Sequence, residues 1–265
     1  MWSNIRVETQ LYFTRMGIYR VSIMVAIDDL LTHALAHPHD TLTREVLVGL
    51  YWAAVYGERV GLAATLTNTT CCDATDVAGV GQLHHRPIHE LIPLLQSTHP
   101  LEISIGMAAL NSALPVNEQD GVEFNARDLI LERGRDKTVV TVGHFPFTDA
   151  IRKVAAELWV LELNPAEGDQ PASAAPELIP QADIIGLTAT TLMNGTFETL
   201  RTLFPPHALV VMMGPSTPLS KVLFDYGIDI LAGALVDDPS TLFHYVGQGS
   251  SLHRVPGLRR FTMVK

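Results

Sequence analysis

Two short turns in the chain carry groups that could hold a small anion. The stretch TATTLMNGTFETL, Thr188 to Leu200, places Thr191, Asn194, Gly195 and Thr196 between an apolar run and a segment with helical spacing. The stretch MMGPSTPLS supplies Gly214, Ser216 and Thr217 in a comparable setting, with Pro218 suited to the first position of a helix. Hydroxyls, an amide and the N–H groups of a helix start all donate to an oxyanion, and a glycine lets the backbone turn sharply towards it. The bland account is capping, in which Thr, Ser or Asn satisfies the helix's own N–H groups. Capping does not need Thr188, Thr190 and Thr191 as well as Asn194 and Thr196. Strand alternation would point Thr188 and Thr190 one way and Thr191 the other. Thr191, Asn194 and Gly195 are therefore expected nearest a bound oxyanion, and Thr188 is expected to be a core hydroxyl. Proton transfer has two candidates, His144 in VGHFPF and Glu162 in LELNPAEGD, with Asp169 following Glu162 in the same loop. Imidazole and carboxylate are common acid–base groups, and His144 could also ligate a metal.

These residues matter only if the fold gathers them. From Thr138 onward, short continuous apolar runs alternate with helical segments. TVVTVG, LWVLEL, ADIIGLTA, ALVVMMG and IDILAG read as strands, and 148–157, 195–203, 219–226 and 241–248 as helices. Apolar runs of this kind are strands covered on both faces of a parallel sheet. Residues 116–265 therefore read as a doubly wound, Rossmann-like domain. Ligands of such sheets bind outside the carboxyl ends of the strands, where His144, Glu162, Asp169 and both turns fall. Residues 21–115 read as a small α+β domain. It has a helix over 22–36, two extended runs (EVLVGLYWAAVYG and RVGLAATL) joined at Gly57-Glu58, and helices over 88–96 and 101–114. Residues 1–20 read as a loose arm. The fold class is thus α/β with an N-terminal α+β unit.

Composition removes several function classes. Of 265 residues, 47% are hydrophobic and 17% charged, enough for a full core, and the formal net charge is −10. Nucleic-acid binders concentrate Lys and Arg, and the densest basic run here is only GLRRF, Gly257–Phe261. No secretory signal or membrane span is visible, since VSIMVAIDDLL meets Asp28 and Asp29 too early. The expectation is a cytoplasmic protein with no nucleic-acid or membrane partner. G-x-G-x-x-G, G-x-S-x-G, the P-loop and H-E-x-x-H are all missing, which argues against a dinucleotide-dependent dehydrogenase, a serine hydrolase, a P-loop nucleotidase and a zincin. Cys71 and Cys72 are adjacent, which suits a reduced pair better than a bridge; a soft metal is the alternative. In LHHRPIHEL, His85 and His89 have helical ligand spacing, but Pro87 between them puts His85 before the helix, and a surface histidine loop is the simpler account.

Several stretches together resemble a known family. VGHFPF, LWVLELNPAEGDQP, LIPQADIIGLTATTLMNGTFETL, VVMMGPSTPLSKVLFDYGIDILAGALVDDP and VGQGSS are similar to the putative heavy-metal chelation family, with the NGT and GPSTPL turns in order at matching strand ends. GLYWAAVYGERVGLAATL and EISIGMAALNSAL resemble that family's companion domain. The resemblance implies an enolase-N-terminal-like domain before the Rossmann-like one, with a site in the cleft between them. It implies the handling of a transition or heavy metal ion, free or as a chelate, and leaves any resident cofactor open. By motif it carries over Thr191, Asn194, Gly195, Thr196, Gly214, Ser216 and Thr217, with His144, Glu162 and Asp169 at the first two strand ends. Asn111 matches the end of the companion domain's last helix. Ser, Thr and Asn are poor primary ligands for heavy metals, so the turns suit a small anionic molecule or a metal chelate. The alternatives are an enzyme acting on a small anionic metabolite, with His144 or Glu162 moving the proton, and a non-catalytic interaction module. A homo-oligomer is left open.

Overall fold

The computed structural model describes residues 25–36, 41–67, 75–122, 124–253 and 255–265. The expected N-terminal arm and Cys71-Cys72 lie outside the described residues. Helix α1 (Val25–Leu35) buries Ala26, Ile27, Leu30, Leu31 and Ala34, the three-and-four spacing of a one-sided helix. Strands β1 (Glu45–Val48), β2 (Trp52–Tyr56) and β3 (Val60–Ala64) form an antiparallel sheet in that order. The reading of EVLVGLYWAAVYG as one extended run is corrected here. The chain turns at Gly49, whose N–H donates to the Trp52 carbonyl, so the run folds into β1 and β2. Helices α2 (Ile88–Leu91) and α3 (Pro100–Ala113) follow, and α3 lies across β2 and β3. Gly61 allows that approach: a Cβ there would stand 2.0 Å from the Ala108 carbonyl oxygen.

The rest of the chain alternates as expected. It contains α4 (Ala126–Arg133), β4 (Thr138–Val142), α5 (Thr148–Arg152), β5 (Glu157–Glu162), β6 (Gln170–Pro171) and α6 (Ala175–Leu178). Then come β7 (Ile184–Thr188), α7 (Thr190–Met193), α8 (Phe197–Arg201), β8 (Leu209–Met213), β9 (Ile230–Val236), α9 (Pro239–Gly247) and β10 (Leu258–Val264). The sheet order is β10-β9-β8-β7-β4-β5-β6, parallel except for β10, which runs antiparallel to β9. The fold is therefore mixed α/β, with a mostly parallel seven-stranded sheet and a small antiparallel one.

Strand order reverses at β4. β5 and β6 lie on one side of it, and β7, β8 and β9 on the other. The chain leaves β4 and β7 in opposite directions, so a crevice opens between their carboxyl ends. A continuous buried cluster runs from α1 and α3 through β7 and β8 to Phe261 and Met263 of β10, so the two sheets share apolar packing. No helix among the described residues is long and apolar enough to cross a membrane.

Three further expectations are corrected. The helix expected over 195–203 is only Phe197–Arg201, and a separate turn of helix, Thr190–Met193, precedes it. No helix starts at Pro218: Thr217 N–H closes a turn onto the Gly214 carbonyl, and a 3-10 segment begins only at Lys221, with Ser220 as its cap. The helix expected over 148–157 stops at Arg152, because Ala156 and Glu157 already bond back to Lys137 at the start of β5.

Candidate functional site

A cavity of about 980 Å³ opens over the carboxyl ends of β4, β7, β8 and β9. His144, Phe145 and Phe147 enter it from the end of β4, Thr188 and Thr190 from β7, and Gly214 and Ser216 from β8. Trp52 and Ala64 of the small sheet close it from the opposite side, and the segment leading into β10 adds Ser251, Leu252 and His253. The cavity is thus built where the two sheets meet, at the switch point of the larger one.

His144 is gripped at two places. Its backbone N–H donates to Glu162 Oε1 at 2.8 Å, and its ring Nδ1 lies 3.5 Å from Asp169 Oδ1. The Asp169 side chain is 3% exposed and the His144 side chain 51%. Asp169 Oδ2 also accepts from the Ala166 N–H at 3.1 Å, within the loop that Gly168 turns at φ +89°. Gly143, just before His144, has φ +101°, and a Cβ there would stand 2.9 Å from Thr188 Cγ2. The ends of β4 and β7 can meet only because Gly143 has no side chain.

The two polar turns have different tasks in the fold. After Thr188 the chain enters a helical turn, so strand alternation ends there and does not decide which threonine faces the crevice. Thr188 and Thr190 line the cavity, their hydroxyls 3.0 Å apart. Thr191 is 2% exposed, and its hydroxyl donates to the Thr188 carbonyl. Asn194 Oδ1 accepts from both the N–H and the hydroxyl of Thr196, closing a turn around Gly195 at φ +73°. In GPSTP, Ser216 Oγ accepts from the Ala64 N–H at 2.8 Å, and the Ser216 carbonyl accepts from Asn111 Nδ2 at 3.1 Å. Asn111 Nδ2 also donates to the Leu62 carbonyl at 2.9 Å. Ser216 and Asn111 therefore tie β3 and α3 to the end of β8. Thr217 is 3% exposed and, like Asn111, borders a separate small recess beside Arg59. Of the residues read from sequence, His144, Gly214 and Ser216 line the main cavity; Glu162 and Asp169 stand behind His144; Thr191, Asn194, Gly195, Thr196, Thr217 and Asn111 lie outside its lining.

Sequence reasoning missed the charge of the cavity. Among the described residues, Arg127, Lys153, Arg259 and Arg260 line it, against one carboxylate, that of Asp149. Asp149 is itself paired with Arg152 at 2.7 Å. Arg259 is committed: it donates to Glu118, first in weight, and to Asp237, and both hold its guanidinium more firmly protonated than usual. Arg127 lies 3.5 Å from Asp128. Lys153 and Arg260 form no ion pair among the described residues. The signal was present in GLRRF, which folds as the start of β10 at the cavity wall.

A bare heavy-metal ion does not fit this donor set. Such ions favour thiolate and imidazole in groups of three or four, and the described residues hold no group of three or more His, Cys, Asp or Glu able to share a cation. His84 and His85 are exposed, with ring centroids 3.8 Å apart, and His85 precedes α2 as Pro87 implied.

Residues 125–265, more than half of the chain, match a family described as "Putative heavy-metal chelation", and residues 28–114 match a companion family of the same description. An uncharacterized protein of Methanocaldococcus jannaschii is 24% identical over 189 residues, covering 68% of this chain and 72% of that protein. A crystal structure of a protein of unknown function from the DUF364 family of Desulfitobacterium hafniense superposes with a TM-score of 0.77 at 25% identity, over 92% of this chain and all of that one. A second DUF364-family protein of unknown function, from Pyrococcus horikoshii, superposes with a TM-score of 0.78 at 18% identity, over 91% of this chain and all of that one.

Proposed function

Because the chain belongs to the family described as "Putative heavy-metal chelation", we propose that its cavity binds a small anionic organic ligand, and that a metal reaches it as the cargo of such a ligand. The observation that carries this reading is the set of cations around the cavity, above all Lys153 and Arg260. An anion brought into a half-enclosed site needs donors that replace its water. Lys153 and Arg260, which form no ion pair among the described residues, the hydroxyls of Thr188 and Thr190 and the backbone at Gly214 supply them. The same cations repel a free metal ion. A chelate whose carboxylates outnumber the metal's charge satisfies both the donor chemistry and the family description. The stacked Phe145 and Phe147 rings, 5.6 Å between centroids, offer an apolar wall for the ligand's carbon skeleton.

Calorimetric titration tests this. Citrate and nitrilotriacetate, each with and without one equivalent of Co²⁺ or Ni²⁺, should bind saturably, and the bare ions should not. A hydrogen bond to a charged group contributes about 1.5–3 kcal/mol, so Arg260→Ala or Lys153→Ala should weaken binding roughly 10- to 150-fold. Saturable binding of the bare ions that both variants leave intact, with no heat from either chelator, would refute the reading.

A further inference from the structure

We propose that the cavity also carries out proton transfer, with His144 Nε2 as the proton acceptor, Asp169 setting the ring's tautomer and Glu162 holding the backbone beneath it. This rests on the reading of the cavity as a ligand site and adds a chemical step to it. The argument starts from Asp169. A carboxylate that is 3% exposed needs partners, and no Lys or Arg side chain among the described residues pairs with it. Its partners are the Ala166 N–H, on Oδ2, and the His144 ring, on the side of Oδ1. At 3.5 Å the ring contact is an ion-pair distance, longer than a closed hydrogen bond. A carboxylate on the Nδ1 side favours the proton on Nδ1 and leaves the lone pair on Nε2. Nε2 has no hydrogen-bond partner among the described residues, and the ring, half exposed, lines the cavity.

Glu162 acts elsewhere on the same residue. Its Oε1 accepts the His144 backbone N–H, which fixes where the chain leaves β4 after the turn at Gly143. The two carboxylates therefore divide the work of positioning: one sets the backbone, the other the ring. Neither is needed to take the proton itself.

The step balances without a co-reactant. Nε2 removes a proton from an acidic C–H or O–H of the bound anion, and the electron pair of that bond stays on the ligand as an enolate or alkoxide. That charge develops in a cavity lined by Lys153 and Arg260, where fixed cations stabilise it. The proton rests on the imidazole, whose positive charge Asp169 offsets, and returns to the same or a neighbouring ligand atom. The substrate class is a carboxylated or phosphorylated small molecule with an acidic proton, and the reaction class is isomerisation or exchange.

The full chain, labelled with ¹⁵N-histidine, gives the decisive measurement. Two-bond ¹⁵N–¹H correlations should show neutral His144 as the Nδ1–H tautomer, and Asp169→Asn should convert it to Nε2–H. Diethyl pyrocarbonate, which acylates an unprotonated ring nitrogen, should modify His144 at Nε2 in the wild type and lose that site in Asp169→Asn, where the free nitrogen is Nδ1. Glu162→Ala should retain the Nδ1–H tautomer. A wild-type ring protonated on Nε2 overturns the proposal, and so does a tautomer that switches in Glu162→Ala and not in Asp169→Asn. The wild-type measurement decides even if Asp169→Asn fails to fold. The ligand reading fails separately: loss of chelator binding with an Nδ1–H ring refutes that reading alone, and intact chelator binding with an Nε2–H ring refutes this one alone.

Discussion

Replacing Asn111 by alanine separates two accounts of the residues that sequence reading gathered around the site. On one account Asn111 touches ligand. On the other it ties α3 and β3 to the end of β8. Asn111 Nδ2 donates to the Leu62 carbonyl at 2.9 Å and to the Ser216 carbonyl at 3.1 Å, and it borders the small recess, outside the lining of the main cavity. Each neutral hydrogen bond contributes about 0.5–1.5 kcal/mol net, so losing both should cost about 1–3 kcal/mol. For a chain of this size about 2–4 °C of Tm accompanies each kcal/mol, so the midpoint should fall by roughly 2–12 °C. Ser216→Ala removes the acceptor of the Ala64 N–H and should also destabilise, by about 1–3 kcal/mol. Because the two side chains act on one turn, the double variant should lose less than the sum of the single losses. The assay is thermal and urea unfolding of the three variants beside citrate titration of Asn111→Ala. An unchanged midpoint together with a more than tenfold loss of citrate affinity in Asn111→Ala would refute the tie and make Asn111 a ligand residue.

Other outcomes follow from the same geometry. Gly61→Ala should abolish soluble expression or lower the midpoint sharply, because its Cβ would stand 2.0 Å from the Ala108 carbonyl; Gly81→Ala, at φ +83° with open space around it, should cost only about 1 kcal/mol in urea unfolding. Glu198→Ala should destabilise by about 2–4 kcal/mol, because the buried carboxylate accepts the Ala26 N–H at 2.8 Å and pairs with Arg201 at 2.6 Å; unfolding with no change would show that α1 docks without it. Tyr226 is pushed up to about 12, first by burial and then by its hydrogen bond to Asp29. A raised folded value means stability is complete below the ordinary tyrosine range near 10 and is lost as pH rises towards 12. The alkaline slope of stability between those limits should therefore shrink in Tyr226→Phe, and an identical slope in both proteins would show that another group titrates there.

What the sequence disclosed and what it hid have different physical causes. The parallel strands are legible because burial on both faces turns each into an unbroken apolar run, as in Ile184–Thr188 and Leu209–Met213. Their order cannot be read from the runs themselves, yet the rule that ligands sit at carboxyl ends needs only the ends, and His144 does stand at the end of β4 in the cavity lining. β10 is not legible because its first half carries the exposed, charged Arg259 and Arg260 and its strand pairing, apart from a bridge from Met263 to Gly121, is to β9, so it has neither a continuous run nor a clean alternation. The threonines depart from strand alternation for a related reason. Period-two reasoning requires the strand to continue, and the chain leaves β7 at Thr188 for a turn of helix that brings Thr190 to the same side.

The charge of the cavity was hidden by averaging. A formal net charge of −10 describes the whole chain, but a bound ligand responds mainly to charges within a Debye length, about 8–10 Å near physiological salt. Arg127, Lys153 and Arg260 come from distant parts of the sequence, and only the closure of α4, α5 and β10 around the ends of β4 and β9 brings them to one lining. The acidic remainder pairs off the other cation there, Arg259, through Glu118 and Asp237. Lys153 and Arg260 have no ion-pair partner among the described residues. Acidity overall and attraction for an anion at one place are therefore compatible, and the second depends on which cations the fold leaves without a carboxylate.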